Sequence, residues 1–483
     1  MLKGDRQQST RLLLVASVAI VAFGLVAGLV VSTQPLYIFL AIAAGAILYC
    51  FFTQFEYTVL GLLVLRSALD PFSGYQLTAA FALGLDALTI MYVTLQLLTR
   101  QPVHTDRFFW FFAGWVGLQS VWVVLLPLGG LGLGADVLPA AIREWIRLVS
   151  WLMVYLLVTQ LRDRIHPTRL ISFLYASLII PISIAILQTV IPSVLPPIFL
   201  GGSESAPGES ISRINGTLGH PNTFATFLLL FIALTCWRLK CSKQRWRWVA
   251  LLCVLAFFFV SAKSLFSLMM LGVFLLMLLA PSMDAVKFIG GIVLFALVIV
   301  LFASTEFGRE RLGSIGETPL LNPDIDLWRA ILLSAGDGNS FNWRLAQWTD
   351  LLTQWRRYPL LGFGLGNSIA VSGNGLLPHN DYIRALIEGG IVGFFTFVFL
   401  FIAQFGWLIQ CLRSSAIAHN GLRKELCFVL IALLAAVPVG MLTENIWSHT
   451  TFFFYWWALF SLVGWDWEPP KNSTSLLTTA TSL

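Results

Sequence analysis

Apolar runs near 20 residues in length recur along this chain of 483 residues, and they restrict its fold more than any other feature. A helix of about 20 apolar residues spans the hydrocarbon core of a bilayer and satisfies its own backbone hydrogen bonds. We predict about 12–14 such spans. The runs lie at about residues 12–32, 36–53, 56–69, 77–98, 108–127, 143–161, 170–191, 222–238, 247–261, 264–280, 287–303, 391–411, 425–443 and 450–465.

The composition of the chain agrees with this interpretation. Hydrophobic residues make up 58% of it and charged residues 11%, which is far from the balance of a soluble domain. The predicted fold class is therefore an all-α polytopic membrane protein with about 12–14 transmembrane helices. One long periplasmic loop, containing short amphipathic helices, interrupts the series of spans.

Positively charged residues define the predicted orientation. Lys and Arg cluster in alternate connections, such as residues 238–247 and 413–424, and connections of this kind stay in the cytoplasm. Both termini are then cytoplasmic, and the net charge of +6 reflects topology instead of nucleic-acid binding. The orientation requires residues 248–280 to cross twice with Lys263 at the turn, because a Lys at the centre of one span costs about 2.5–3.5 kcal/mol.

The hydropathy pattern divides the chain into four parts. Residues 1–303 form N-terminal transmembrane helices with an outer loop at 192–221, and residues 304–390 form the long periplasmic loop. Residues 391–465 form C-terminal transmembrane helices, and residues 466–483, rich in Ser and Thr, form a disordered cytoplasmic tail. Functional residues are expected in the long loop, because long irregular connections are usually functional.

The outer loop before the eighth span carries polar groups that a membrane scaffold does not need. Residues 212–222 have the sequence SRINGTLGHPN, and Asn222 is predicted as the N-cap of the following helix. Arg213 beside that helix N-terminus predicts an anion site. A simple loop leading into the helix is the alternative.

An amphipathic helix is predicted in the middle of the long loop. Trp348, Leu351, Leu352 and Trp355 follow i, i+3, i+4 and i+7 spacing, which places them on one helical face. This pattern is typical of a helix at the outer membrane surface. Arg344 lies one turn earlier on the same apolar face, so it is expected to have an anionic partner.

The last part of the long loop combines a glycine-rich segment with a histidine. Residues 362–366 (GFGLG) lack the spacing of nucleotide-binding loops, and close approach of another backbone explains them better. His379 precedes a short helix at about 380–388, which ends at a pair of glycines before the next span.

His379 shares the predicted outer face with Arg213 and Arg344. A base and two fixed cations are what transfer from a phosphate-linked donor requires. We therefore interpret the three as a catalytic group with His379 as the general base. Asp324 and Asp326 are the rival feature, because paired carboxylates can hold a divalent metal, but their position in a turn favours a metal-independent reaction.

Charged residues at other outer span ends are interpreted first as structural. Arg143, Glu144 and Arg147 begin the sixth span, where they either pair among themselves or widen the anion site. Glu444 and Asn445 open the last outer turn, as a cap or as a contact with the acceptor.

The order of these motifs resembles the O-antigen ligase and O-antigen polymerase superfamily. The resemblance covers about residues 210–412, and its elements keep the same order on one face. They are RxNGTxxHPN from Arg213 to Asn222, Arg344 with Trp348, GxGxG at 362–366, and HNxY from His379 to Tyr382 followed by EGGxxG.

The resemblance implies a glycosyltransferase of the bacterial inner membrane that works without a metal or other cofactor. It would transfer a glycan from undecaprenyl pyrophosphate to a glycan or lipid acceptor on the periplasmic face, in O-antigen or exopolysaccharide biosynthesis. Its partners would be this donor, the acceptor and membrane lipids, and its catalytic residues Arg213, Arg344 and His379. We expect inversion at the anomeric carbon, because the acceptor hydroxyl attacks it directly.

Further polar residues beside this group are expected to contact the substrates. Lys263 stands where family members often have Ser-Arg, and a lysine lacks the bidentate fork of arginine. The expected substrate contacts are Asn215, His220, Asn222, Arg143, Arg147, Lys263, Asn380 and Tyr382.

A lipid-linked glycan transporter or flippase is the alternative function. Transporters tend to contain inverted repeats and polar residues at the membrane midplane. This sequence has no convincing repeat, and its polar groups gather on one face, which favours an enzyme. Ligase and polymerase activity both remain open, because the two share a donor and differ in acceptor.

Overall fold

The computed structural model describes most of the chain as helices. Described are residues 35–200, 213–282, 284–306, 340–373, 375–417 and 420–467, with short pieces at 309, 319, 322–326, 329–330 and 332–333. The first predicted span at 12–32 and residues 468–483 of the predicted tail lie outside the described residues.

Every regular element in the described part of the chain is helical. The α-helices, numbered in chain order, are α1 (Pro35–Thr53), α2 (Phe55–Leu65), α3 (Leu77–Leu98), α4 (Arg107–Leu125), α5 (Leu138–Thr159), α6 (Pro167–Leu174), α7 (Ile179–Val190), α8 (Pro221–Cys241), α9 (Arg245–Ser261), α10 (Leu265–Leu279), α11 (Ala285–Ser304), α12 (Ser340–Trp355), α13 (Ser368–Val371), α14 (Asp381–Ile417), α15 (Gly421–Gly440) and α16 (Thr450–Val463).

Several described helices have the length and hydropathy of membrane spans. Five stretches meet both criteria, and three further apolar helices are shorter. The all-α polytopic membrane fold is thereby confirmed, whereas the total of about 12–14 spans stays a prediction. The five are Leu77–Leu98, Arg107–Leu125, Pro167–Val190, Pro221–Cys241 and Asp381–Ser415.

Helix α16 lies at the centre of the bundle because it is apolar on every side. All residues from Thr451 to Val463 are buried, as expected for a helix without a polar face. Its Trp457 ring stacks on Phe112 of α4 at 4.2 Å. Trp151 of α5 packs on Phe453 of α16 at 4.5 Å, and aromatic packing of this kind fixes α4 and α5 against α16.

Residues 248–280 form two helices, as the sequence predicts. Helix α9 ends at Ser261, α10 begins at Leu265, and Lys263 lies in the turn between them with φ 49°. Arg213 Nε donates to the Ala262 carbonyl over 3.3 Å. Helix α9 therefore returns to the end of the bundle at which α8 begins. We call this the His379 end, defined by residues 213–222, 262–264, 379–384 and 443–449.

Helix α14 is broken near its beginning, at Gly390. The backbone there has φ 62° and ψ −162°, a region that is essentially restricted to glycine. The residues before the break form the short helix that the sequence predicts after His379. The rest of α14 continues as a long apolar helix to Ile417.

Backbone groups in and just before the glycine-rich segment form hydrogen bonds with backbone groups on both sides of this break. Phe363 N donates to the Ile387 carbonyl, and Ile391 N donates to the Pro359 carbonyl, both at 2.9 Å. A Cβ atom on Gly362 would lie 2.4 Å from the Ile387 carbonyl oxygen. The predicted close approach of another backbone is therefore confirmed.

The amphipathic helix of the long loop is also confirmed, as α12. Leu351 on its apolar face is buried in a cluster with Phe363 and Ile387. The face therefore packs against the broken part of α14. Its predicted position at the membrane surface stays a prediction.

Candidate functional site

His379 lies in an uncommon backbone conformation directly before α14. Its φ angle is 51°, which few non-glycine residues adopt. Asn380 fixes the start of the helix, because its Oδ1 accepts hydrogen bonds from Tyr382 N and Ile383 N at 3.0 Å each. The side chain of His379 is 24% exposed, so a substrate can reach the ring.

Two charged side chains face the same ring nitrogen of His379. Nδ1 lies 3.2 Å from Glu444 Oε1 and 3.4 Å from Arg344 Nη2. An ionised carboxylate only accepts hydrogen bonds, so the closer contact requires Nδ1 to carry the hydrogen. Neutral His379 then has its lone pair on Nε2, the form that a general base needs.

Glu444 is buried and yet ionised at neutral pH. Burial by itself raises the pKa of a carboxyl group, but the hydrogen bond with His379, the charge that His379 carries when it is protonated and the charge of Arg344 outweigh it. Together they lower the pKa of Glu444 well below its usual range. Sequence reasoning left Glu444 out of the catalytic group, although a lone carboxylate opening an outer turn was a signal for it.

Arg344 bridges helix α12 to the turn that carries Glu444. Its Nη1 donates to the Thr443 carbonyl at 3.3 Å, and its guanidinium lies 5.7 Å from the Trp343 ring. Trp343 in turn meets the His379 ring edge to face at 5.6 Å. The expected anionic neighbour of Arg344 is thus present, and it is Glu444.

Arg213 joins the group through Asn222. Arg213 Nη2 donates to Asn222 Oδ1 at 2.9 Å, and Asn222 Nδ2 donates to Glu444 Oε2. The other oxygen of Glu444 faces His379. The structure therefore brings the three predicted catalytic residues together around one carboxylate.

The predicted N-cap of α8 is wrong by two residues. His220 occupies that position, and its Nδ1 accepts a hydrogen bond from Asn222 N at 3.1 Å. Pro221 takes the first helical position, where a missing N–H costs nothing. Asn222 therefore lies inside the helix, and its side chain bonds to Glu444 instead of capping.

Three of the residues expected to contact substrate form hydrogen bonds with other parts of the protein, and these bonds stabilise the site. Asn215 Oδ1 accepts from Gln188 Nε2 at 2.6 Å, within the turn that carries Arg213. Asn380 Nδ2 donates to the Leu442 carbonyl and Tyr382 Oη to the Pro438 carbonyl, both at 2.9 Å. Contacts of these residues with substrate stay predictions.

Lys263 lies close enough to Arg213 for their charges to interact. Burial lowers the pKa of Lys263 and the Arg213 charge lowers it further, whereas Glu306 raises it. Repulsion between two neighbouring cations decreases when an anion binds near both. The turn at 262–264 thus adds positive potential to the His379 end.

A second charged group lies beside the first, at the start of α14. Arg384 contacts Glu144 Oε1 through Nη2 at 3.0 Å and Glu388 Oε1 through Nε at 2.9 Å. Arg147 also pairs with Glu144, and a contact of Arg147 with substrate stays a prediction. Arg143 is exposed, and its predicted role stays untested.

The rival acidic pair lies in an exposed turn. Asp324 N donates to Asn322 Oδ1 at 3.0 Å, which is the turn that the sequence predicts, and both Asp324 and Asp326 are exposed. Within the described residues, no group of three His, Cys, Asp or Glu side chains is arranged to hold a metal ion.

Part of the chain matches a known protein family. Residues 248–398 match the family described as O-antigen ligase, a range that includes Lys263, Arg344 and His379. No curated protein matches the chain. Arg213 and Glu444 lie outside the matched range, on either side of it, and the fold brings both to His379. The predicted resemblance to the O-antigen ligase and polymerase superfamily is thereby confirmed over residues 248–398.

Proposed function

We propose that the protein is an inverting, metal-independent glycosyltransferase of the O-antigen ligase or polymerase type. It transfers a glycan from undecaprenyl pyrophosphate to an acceptor hydroxyl on the periplasmic face of the bacterial inner membrane, and both its termini are cytoplasmic. One observation carries the proposal. Nδ1 of the His379 imidazole faces both ionised Glu444 and Arg344, and Arg213 belongs to the same group.

His379 acts as the general base in this reaction. Its Nε2 takes the proton of the acceptor hydroxyl while the acceptor oxygen attacks the anomeric carbon of the lipid-linked sugar. Glu444 accepts a hydrogen bond from Nδ1–H. This bond holds the ring in one tautomer and stabilises the imidazolium that forms.

The two arginines act on the leaving group. As the bond from the anomeric carbon to the phosphate oxygen breaks, undecaprenyl pyrophosphate departs with the electron pair and gains negative charge. Fixed cations at Arg213 and Arg344 stabilise that charge without moving during the reaction. One direct displacement at carbon inverts its configuration, so no covalent intermediate with the protein is needed.

Transfer by the purified protein tests this function. With a polyprenyl-pyrophosphate glycan and an acceptor, His379→Ala is expected to lower the transfer rate about 10²–10⁴-fold, the usual contribution of a general base. His166→Ala is the matched control, because His166 is an exposed histidine outside the group.

Two results would contradict the proposal. One is full activity of His379→Ala, which would remove the base. The other is flipping of the lipid-linked glycan in vesicles without any transfer, which would favour the transporter. Loss of transfer in EDTA would refute metal independence and return attention to Asp324 and Asp326.

A further inference from the structure

A cavity of about 220 Å³ lies at the end of the bundle opposite His379. Helix α5 shows that the two ends are opposite, because Glu144 in its first turns contacts Arg384 at the His379 end. The last residue of α5, Thr159, leads within a few residues to Arg164, which lines the cavity. Nothing in the proposed reaction uses this space.

One side of the cavity is aromatic. The Phe55 and Tyr92 rings stack at 4.1 Å, and Phe51 meets Phe55 edge to face at 5.2 Å. Phe52 and Leu95 extend the same wall. A wall of this composition, set between the ends of α1, α2 and α3, suits the upper part of a hydrocarbon chain.

The other side of the cavity is a rim of hydrogen-bonding groups. Arg164 Nη2 donates to Tyr92 Oη at 2.9 Å, and its guanidinium lies 5.2 Å from the Phe55 ring. Gln96 Nε2 also donates to Tyr92 Oη, at 2.7 Å. These contacts hold the cation over the aromatic wall, and a guanidinium has five N–H donors, of which Tyr92 accepts one.

A second, smaller cavity of about 70 Å³ adjoins the polar rim. It shares Tyr92, Gln96, Gln101 and Arg164 with the first. The combined space therefore has an apolar part and a polar part, as an amphipathic ligand does.

The charge around this rim favours an anion. Arg164 is 40% exposed and lies 3.8 Å from Glu56 Oε1, which is longer than a hydrogen bond. Exposed or half-exposed arginines near the cavity in sequence outnumber the carboxylates there. The arginines are Arg100, Arg107, Arg162, Arg164 and Arg169, and the carboxylates are Glu56, Asp106 and Asp163.

We propose that this cavity binds a membrane phospholipid with an anionic headgroup, such as phosphatidylglycerol. Arg164 binds the phosphodiester, and the amides of Gln96 and Gln101 bind the headgroup hydroxyls. The Phe51–Phe55 wall receives the start of one acyl chain. Basic pockets between transmembrane helices bind acidic lipid headgroups by this combination of charge and apolar contact.

Native mass spectrometry of the full-length protein in detergent tests the site. Phosphatidylglycerol is expected to remain bound at higher occupancy than phosphatidylcholine of the same chain length. Arg164→Gln is expected to lower its affinity about tenfold, the loss that follows from one charge-assisted hydrogen bond. Thr99→Trp, which fills the cavity and keeps Arg164, is expected to lower it as well.

Arg169→Gln is the matched control, since Arg169 is an exposed arginine at the same end that does not line the cavity. It is expected to leave lipid occupancy unchanged, and the unfolding midpoint without added lipid verifies that each variant is folded. Equal occupancy by both lipids, or unchanged binding in a folded Arg164→Gln protein, would overturn the proposal. Binding of glycerol 3-phosphate with the affinity of the lipid would assign the cavity to a soluble phosphate ligand instead.

Discussion

Glu444 connects the two halves of the candidate site through its two carboxylate oxygens. One oxygen faces His379 Nδ1 and the other accepts from Asn222, which holds Arg213. Because the group is buried and ionised, it also sets which ring nitrogen of His379 carries the hydrogen. In the proposed reaction, Glu444 acts through His379 as a positioning residue.

Replacement of Glu444 by Gln tests this role. A neutral amide does not stabilise the imidazolium, and its NH₂ group can donate to Nδ1 and favour the wrong tautomer. We expect Glu444→Gln to lower kcat about 10²-fold or more, with a much smaller change in KM for the donor. Kinetics of the purified variant across pH 5–9 would measure both.

Glu425→Gln is the control for this variant. Glu425 pairs with Lys240 at 3.0 Å and is partly exposed, so its replacement is expected to leave kcat unchanged. A Glu444→Gln protein with wild-type kcat and an unshifted pH profile would contradict the positioning role.

His449 gives the protein a predictable dependence of stability on pH. It is buried beside Thr226, and burial lowers its pKa to about 4, although the Glu444 charge raises it. The ordinary histidine pKa is about 6.5, so between these values the unfolded chain binds a proton that the folded protein excludes. The contribution of His449 to the free energy of unfolding is therefore largest above about pH 6.5. It falls by roughly 3 kcal/mol as the pH drops to about 4.

Unfolding midpoints in detergent at pH 7.5 and pH 5 measure this effect. His449→Asn, which carries no titratable group, is expected to show a smaller difference between the two pH values than the wild type. His166→Asn changes an exposed histidine and should keep the wild-type difference. The same pH difference in His449→Asn as in the wild type would show that His449 is not its source.

At the scale of elements, the break in α14 places His379. The helix before Gly390 is short, and it turns away from the span that follows without losing backbone hydrogen bonds, because segment 359–364 supplies partners. Arg384 on this short helix contacts Glu144 of α5 and also donates to Glu388 one turn later. The broken helix is thus held on two sides, which fixes the position of the imidazole that precedes it.

Gly390→Ala is expected to destabilise this arrangement. An alanine there would adopt a backbone conformation that costs about 1–3 kcal/mol, and its Cβ would lie 2.3 Å from backbone atoms of Leu360. We expect a lower unfolding midpoint and weaker transfer.

Gly406→Ala in the same helix is the matched control, since a Cβ there meets nothing within 4 Å. Alanine is better than glycine inside a helix by about 0.5–1 kcal/mol, so this variant should be at least as stable as the wild type. Equal stability of the two alanine variants would show that the break does not need glycine.

At the scale of the whole molecule, distant parts of the chain meet at the His379 end. Asn222 and Glu444 are 222 residues apart in sequence, and Arg344 comes from a third segment between them. This convergence places all predicted catalytic residues at one end of the bundle, so that they can all act at one face of the membrane.

Labelling of single cysteines tests the proposed orientation of this bundle. Leu442, directly before segment 443–449 of the His379 end, is 49% exposed, and Lys243 lies exposed in the connection after α8. A membrane-impermeant maleimide should label Leu442→Cys in intact cells, and Lys243→Cys only after permeabilisation, beyond the background from the native cysteines. The reverse pattern would invert the topology and refute periplasmic transfer.

Local patterns in the sequence determined the helices and the class of fold. Apolar runs predicted α8, α9 and α10 within a few residues, and the Lys263 turn followed from the cost of burying its charge. The face of α12 and the proposed catalytic group of Arg213, Arg344 and His379 could be predicted for the same reason. Spacing along a helix and the position of a polar residue at its end are properties of a short stretch of chain.

Only the tertiary structure decided how these pieces meet. It made Glu444 the common partner of His379 and Asn222, moved the N-cap from Asn222 to His220, and paired the glycine-rich segment with the break at Gly390. Each of these depends on atoms contributed by distant segments, and a carboxylate has the same local sequence signal whether it caps a turn or orients a base. The physical reason is that hydrogen-bond geometry and burial arise only when the helices have packed.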